Sequence, residues 1–183
     1  MRYGIIAITS ILIAVALFVF AEYEENTTYS HSPFPVTSIP NIQPYAQCHI
    51  VNDTLPDPHC TPGEIDPSVT QENINSTICV PGYTKTVRPP VSVTEPQKFD
   101  SMKTYGFIDS PSNYEFDHLV PLELGGSPDN MKNLWPEPHS SSFTKDSVEN
   151  YLHNQVCSGN MKLKTAQDMI STNWYKYWMI VKN

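Results

Sequence analysis

The chain contains 183 residues, which allows one domain or one domain with a tail. Its 17 prolines, against seven glycines, fall mostly before residue 100 and exclude a helical bundle or coiled coil there, because proline breaks helices. The net charge of −8 arises almost wholly from residues 22–97, so the chain lacks the basic stripe with which a protein holds DNA by charge alone. Sequence-specific binding to duplex DNA is therefore not expected, whereas brief contact with nucleic acid through a metal is compatible with these numbers.

The first 21 residues have the pattern of an export segment. The run from Ile5 to Ala21 is almost entirely apolar, and small side chains suit cleavage after Ala21. An uncleaved anchor is the alternative, although the run is slightly shorter than the about 20 residues that span a bilayer. Residues 22–46 are rich in Pro, Ser, Thr and Asn, which predicts a flexible spacer. We therefore expect a secreted or extracytoplasmic protein that meets a membrane only if residues 1–21 stay attached.

Four cysteines follow this segment, at positions 48, 60, 79 and 157. An even number in an exported chain favours disulfides, and three pairings are open. A zinc site is the other interpretation, but the sequence contains no C-x-x-C spacing. The half of the domain that begins at residue 47 is therefore expected to be rich in loops and tied by disulfides.

The predicted elements begin with a short helix within residues 69–79. A better helix start follows at Thr94, which can act as the N-cap, with Pro96 in the first turn and Gly106 as the stop. Residues 114–120 alternate as a strand does, and residues 123–130 are a loop by their turn residues.

A short second strand is predicted at residues 133–135, ended by Pro136. Helices are expected at residues 145–157 and 165–181, and the second has apolar positions at the 3.6-residue period. The elements predict a small α+β domain over residues 47–183 that ends in an amphipathic helix.

The chemistry-bearing residues cluster between residue 115 and residue 153. Asp117 and His118 stand side by side at a strand end, and Asn133 can hold a loop through its side-chain hydrogen bonds. Glu149 and His153 are four residues apart, so they share one face of a helix. Carboxylates and an imidazole brought together form a divalent-metal site, which leaves the other histidine free to act as a base.

This pattern resembles the HNH, or ββα-metal, nuclease family. The resemblance rests on Asp117-His118, Pro121, Gly125-Gly126 and Asn133. An exported bacterial-type branch of that family is similar over most of residues 55–178, through Pro56-Asp57-Pro58, Cys60, Pro62-Gly63, Ile78-Cys79, Arg88-Pro89-Pro90, Asn133-Leu134-Trp135-Pro136, Lys145-Asp146, Glu149, Leu152-His153 and Ala166-Gln167.

The resemblance implies a hairpin-helix core over about residues 112–157 and a role for each matching residue. His118 would activate the attacking water, Asp117 would ligate the metal, and Asn133 would hold the loop that presents the base. Glu149 and His153 would complete the metal site. The ion would be a single divalent cation, Mg²⁺ by preference, with Zn²⁺, Ni²⁺ or Mn²⁺ as alternatives.

Two further residues are candidates for the site, one as a metal ligand and one as a contact to substrate. His139 is a rival metal ligand, because most members of the family place the last histidine closer to the asparagine than His153 lies. Lys145 is a candidate for contact with the substrate phosphate.

The expected function is that of a monomeric, metal-dependent endonuclease that hydrolyses phosphodiester bonds with little sequence specificity, on DNA rather than RNA. The alternative is a surface-anchored binding module that keeps the hairpin without catalysis. The two differ in whether a third ligand joins Asp117.

Overall fold

The structure of the protein is a computed structural model that describes residues 47–182. The predicted export segment, residues 1–21, and the predicted spacer, residues 22–46, lie outside the described residues. Four α-helices and one two-stranded sheet form the regular structure of the described part, in the order α1 (Tyr83–Val87), α2 (Val91–Thr104), β1 (Tyr114–His118), β2 (Leu134–Pro138), α3 (His139–Cys157) and α4 (Leu163–Val181). The expected α+β class is confirmed.

The two strands pair antiparallel in a register that places acidic residues together. Asp117 pairs with Trp135, and Glu115 pairs with Glu137. Because side chains alternate along a strand, these four share one face of the hairpin. β2 continues through Pro136, where it was expected to stop. Proline is tolerated because no further described strand pairs with the outer edge of β2.

Helix α3 follows β2 without a loop, and Pro138 is both the last strand residue and the N-cap. The helix begins at His139, earlier than the predicted start at Lys145. Residues 139–144 carry no apolar period, and the side chain of Phe143 is exposed, so the pattern gave no signal for the first turns. The early start extends α3 alongside the hairpin, with Lys145 inside the helix rather than at its beginning.

The hydrophobic core lies where α3 packs against α4 and the hairpin. Its buried residues include Val148, Leu152, Val156, Ala166, Ile170, Trp174, Leu119, Val120, Leu124 and Trp135. α4 changes direction at Asn173, whose φ of −167° and ψ of 76° are not helical. None of the helices within residues 47–182 is long and apolar enough to cross a membrane.

The part of the domain before β1 is mostly loop, as expected. A single 3-10 turn at Ile74–Ser76 stands where a short helix was predicted, and α2 begins at Val91, so Pro96 lies inside the helix rather than in its first turn.

The predicted disulfides are confirmed. Cys48 is bonded to Cys60, and Cys79 is bonded to Cys157 at the end of α3. Two disulfides are consistent with an extracellular location.

Candidate functional site

The loop between the strands is held in place by Asn133. Its buried Oδ1 accepts a hydrogen bond from the Val120 N–H at 2.9 Å. Its Nδ2 donates to the carbonyls of Val120 at 2.9 Å and Ser127 at 3.0 Å. One amide therefore satisfies three backbone groups of residues 120–127, directly after His118. Sequence reasoning expected Asn133 to hold a loop, and the structure places it to do so.

Two glycines let this loop turn back closely. Gly125 has a φ of +73°, the left-handed region that favours glycine, and it ends the 3-10 turn Leu122–Leu124. Gly126 passes so close to Val120 that a Cβ there would overlap the Val120 carbonyl. The Gly-Gly pair is therefore required by the geometry that brings Ser127 and Pro128 back towards His118.

His118 is buried, and its ring has a defined orientation. Nε2 lies 2.9 Å from the carbonyl oxygen of Pro128. A carbonyl only accepts hydrogen bonds, so Nε2 carries the proton and Nδ1 of the neutral ring has a free lone pair. Burial lowers the pKa of His118, although the bond to Pro128 and the charge of Asp117 oppose that shift. His118 is thus neutral near pH 7 and able to accept a proton at Nδ1.

Lys145 lies at the centre of the acidic face. Its side chain has no exposed surface. Nζ donates to Asp117 Oδ2 at 2.6 Å, to the His118 carbonyl at 2.8 Å, and to Glu149 Oε1. The expectation that Lys145 contacts substrate therefore does not fit its position, because the ammonium is enclosed by the protein. The pairing does bring Asp117 and Glu149 together, since both carboxylates contact one nitrogen.

The charges in this cluster are uneven. Burial alone would lower the pKa of Lys145, but Asp117, Glu149 and Glu137 outweigh it and raise that pKa. Burial alone would raise the pKa of Asp117, but the charge of Lys145 outweighs the effect of burial, so the pKa of Asp117 is lowered. The pKa of Glu149 is raised by burial, which Lys145 only partly offsets. One ammonium thus keeps Asp117 ionised but leaves the cluster short of positive charge.

Two acids that sequence reasoning missed belong to the same region. Glu137 is buried, and its pKa is raised by burial first and by the charge of Asp117 second. Glu123 lies on the 3-10 turn, close enough to Glu149 for their charges to interact. The Oε1 atoms of Glu137 and Glu123 are buried without a hydrogen-bond partner. Glu137 could have been predicted only from the register of the two strands, which places it on the same face as Asp117.

The two histidines proposed as ligands lie elsewhere. His153 Nε2 is 2.9 Å from the Ile78 carbonyl and 3.3 Å from Cys157 Sγ. The structure does not gather His153 with Asp117 and Glu149 around one point. His139 is exposed at the first position of α3, where it lines a cavity of about 430 Å³ with Tyr114.

The donor atoms at Asp117 and Glu149 suit one class of metal. Within residues 47–182, the one group of three acidic, histidine or cysteine ligand atoms lying within 4.8 Å of one another is Cys79, His153 and Cys157. A three-ligand site at Asp117 is therefore not formed. Mg²⁺ requires only one or two carboxylates, because it keeps several waters. The unpartnered oxygens of Glu137 and Glu123 and the shortage of positive charge fit such a hydrated cation beside Lys145.

Comparison of the chain with protein-family models, with curated proteins and with solved structures finds no match. Its function has to be argued from its own residues.

Proposed function

We propose that this chain is a metal-dependent endonuclease of the HNH, or ββα-metal, type, which hydrolyses phosphodiester bonds of nucleic acid with little sequence specificity. The observation that carries the proposal is the neutral, oriented imidazole of His118 at the end of β1, close enough to Asp117 for that charge to act on the ring. Asp117 and Glu149 are in turn brought together by Lys145. Asp117 and His118 lie at the end of β1, and Glu149 lies on α3, which follows the hairpin without a loop. A base and an acidic cation site in one place are the parts that hydrolysis of a phosphodiester requires.

His118 acts as the general base in this proposal. Nδ1 removes a proton from the attacking water, and the Pro128 carbonyl keeps its hydrogen bond to Nε2 as the ring becomes positively charged. Asn133 fixes the Ser127 carbonyl, the residue before Pro128, and thereby holds that acceptor in place. The role of Asn133 is one of positioning, since it contacts only backbone groups.

Asp117 and Glu149 would hold the cation. A divalent ion bound there would polarise the scissile phosphate and neutralise charge on the leaving oxygen. Lys145 keeps the two carboxylates together by bonding to one oxygen of each. A hydrated Mg²⁺ needs only one or two such carboxylates.

The charge of the chain supports weak, unspecific contact with substrate. A net charge of −8 gives little attraction for the phosphate backbone, so binding depends on the cation. We propose DNA as the substrate, a monomeric enzyme, and secretion, which the two disulfides support.

A plasmid-nicking assay tests the proposal. Purified protein in Mg²⁺ should nick supercoiled plasmid, and EDTA should stop the reaction. His118→Ala should nick at least about 100-fold more slowly, while His139→Ala, on an exposed histidine, should match the wild type. Absence of nicking in Mg²⁺, Mn²⁺, Ni²⁺ and Zn²⁺ alike would reject the proposal.

One observation favours a second candidate, a binding module without catalysis. The ammonium of Lys145 already occupies the point where Asp117 and Glu149 meet. If that ammonium is the sole counter-charge, the chain binds no divalent cation at this place. Titration with Mn²⁺ followed by EPR distinguishes the two: binding that Glu149→Gln weakens supports the enzyme, and no binding with retained affinity for DNA supports the module.

A further inference from the structure

A second cluster of ligand-type side chains lies at the far end of α3. His153 and Cys157 are four residues apart and therefore share one face of the helix. Cys79 reaches the same place from the loop before α1. The ligand atoms of all three lie within 4.8 Å of one another. In the oxidised protein the two sulfurs are bonded to each other, so they offer no thiolate to a metal.

An opening adjoins this cluster. A cavity of about 190 Å³ is lined by Cys79, His153, Glu123 and Tyr83, among others. The Oε1 atom of Glu123 is buried and has no hydrogen-bond partner. Cys79 and Cys157 are both partly exposed, so a small reductant and a metal ion can reach them. A set of soft ligands therefore borders a space with an unsatisfied carboxylate oxygen.

We propose that reduction of the Cys79–Cys157 disulfide by a dithiol converts this cluster into a site for a thiophilic divalent metal such as Zn²⁺, with Cys79, Cys157 and His153 as ligands. The dithiol is oxidised to its own disulfide, and the protein disulfide is reduced to two thiols. Zn²⁺ then binds two thiolates and one neutral imidazole, and the two thiol protons pass to solvent. The proposal does not depend on the nuclease function.

The chemistry of the set selects the metal. Two thiolates and one imidazole are ligands that Zn²⁺ takes in tetrahedral sites, and they suit Mg²⁺ and Ca²⁺ poorly. Three protein ligands leave a fourth position, which water fills on the side of the cavity where Glu123 lies. Binding through Nε2 requires His153 to move its proton to Nδ1 and to give up the Ile78 carbonyl. Zn²⁺ cannot bind at this site while the two sulfurs are bonded to each other, because no thiolate is then available.

The bound metal would replace the lost covalent link. The disulfide connects the last residue of α3 to the loop before α1. A Zn²⁺ ion held by Cys79 on one side and by His153 and Cys157 on the other makes the same connection. The reduced protein thus keeps the end of α3 attached when Zn²⁺ is present and loses that attachment when it is absent.

The other disulfide supplies an internal control. Cys48 and Cys60 stand next to His49 and His59 in the sequence. Within the described residues these four do not form a group of ligand atoms close enough to hold one ion. Each disulfide thus has a histidine near one of its cysteines in sequence, but in the described part of the chain only at Cys79–Cys157 does an imidazole nitrogen lie within 4.8 Å of both sulfurs.

Alkylation of the wild-type protein tests the proposal. The protein is reduced with a dithiol, the dithiol is removed, and iodoacetamide is added with Zn²⁺ or with EDTA before peptide mapping. Zn²⁺ should slow the alkylation of Cys79 and Cys157. The rate at which Cys48 and Cys60 are alkylated should be the same with and without Zn²⁺. Equal modification of all four cysteines with and without Zn²⁺ would overturn the proposal, and so would equal protection of all four.

A variant tests the imidazole separately. His153→Ala should weaken Zn²⁺ binding to the reduced protein by at least about 100-fold, because even the loss of a residue that only supports a ligand costs about 10–100-fold. Co²⁺ added to the reduced wild type should give a thiolate charge-transfer band, and this variant, which keeps both thiolates, should need a higher Co²⁺ concentration to give it. If Zn²⁺ protected Cys79 and Cys157 from alkylation as well in His153→Ala as in the wild type, His153 would not be a ligand. The unfolding temperature of the oxidised variant shows whether the substitution has damaged the fold, and His153→Gln repeats the test if it has.

Discussion

The carbonyl of Pro128 determines the tautomer of His118, because it can accept only a proton that Nε2 carries. The nitrogen that remains, Nδ1, is the one proposed to take a proton from water. Burial favours the neutral ring and lowers its pKa below the ordinary value of 6.5. The neutral, basic form of His118 is therefore more populated near pH 7 than it is in an unperturbed histidine.

The pH dependence of cleavage should report this shift. A base is active when deprotonated, so kcat/KM should rise with pH and level off, with a midpoint below 6.5. His118→Ala should lower the plateau by about 10²–10⁴-fold. The measurement is a pH–rate profile of plasmid nicking, with His139→Ala as the control. A midpoint above 6.5 would contradict the assignment of His118 as a buried base.

Lys145 should matter for stability more than for substrate binding. Lys145→Met leaves Asp117 and Glu149 partly buried without a counter-charge, which should cost about 3–5 kcal/mol. Lys164→Met is the matched control, since Lys164 also pairs with an acid four residues later, Asp168, but with side chains 73% and 58% exposed. That change should be close to neutral.

Urea unfolding in EDTA measures both variants. Similar unfolding free energies for Lys145→Met and Lys164→Met would show that the buried ion pairs contribute little. Addition of Mg²⁺ to Lys145→Met should restore part of the loss if Asp117 and Glu149 bind a cation.

The sequence predicted the meeting of Asp117 and Glu149 but not the position of Lys145. The spacing of Glu149 from His153 placed both on one helix face, and the resemblance brought that face to the hairpin. Lysine is almost never fully buried, so no local pattern marks Lys145 as interior. Lys145 lies inside α3 because the helix begins at His139. The residues of the first turn, which follow Pro138 and include three serines, have no helical sequence pattern that would predict this start.

At the scale of the elements, the loop between the strands depends on one side chain. Asn133→Ala removes three hydrogen bonds and leaves the Val120 N–H and two carbonyls unsatisfied in the interior. We expect a loss of about 3 kcal/mol, because each buried group left without a partner costs about 1–3 kcal/mol. Asn130→Ala is the control in the same loop, since Asn130 is exposed and accepts one bond, from Lys132.

Thermal unfolding measures the loss, and nicking by the folded Asn133→Ala protein shows whether Pro128 and His118 have moved. Equal unfolding temperatures for the two asparagine variants would contradict the structural role of Asn133.

The elements that could be predicted are those with a regular pattern of apolar residues in the sequence. β1 and α4 carry periodic apolar residues, and both were expected within a few positions of where they occur. The end of β2 was placed too early, because a proline stops a central strand, whereas among residues 47–182 no strand pairs with the outer edge of β2. The bend at Asn173 has no sequence signal of its own, since a continuous apolar period runs through it.

At the scale of the whole molecule, the two disulfides should differ in what they stabilise. Cys79–Cys157 spans 78 residues, and Cys48–Cys60 spans 12. Chain entropy makes the longer loop worth more, about 4.5 kcal/mol against about 3 kcal/mol. Replacing each pair by serines should therefore lower the unfolding free energy more for Cys79 and Cys157, as measured by urea unfolding in the absence of added metal. The opposite order would show that strain or residual structure outweighs loop length.

The junction at Pro138 has a further consequence. An α-helix turns by about 100° per residue, so one residue inserted between Pro138 and His139 would swing Lys145 and Glu149 around the axis of α3, away from Asp117. The same rotation would turn Val148, Leu152 and Val156 away from the core, so the insertion would cost stability as well as the cluster. The site thus depends on the angular phase of α3, which the direct joint to β2 sets. By contrast, the connection between α3 and α4, residues 158–162, can change in length without altering that phase.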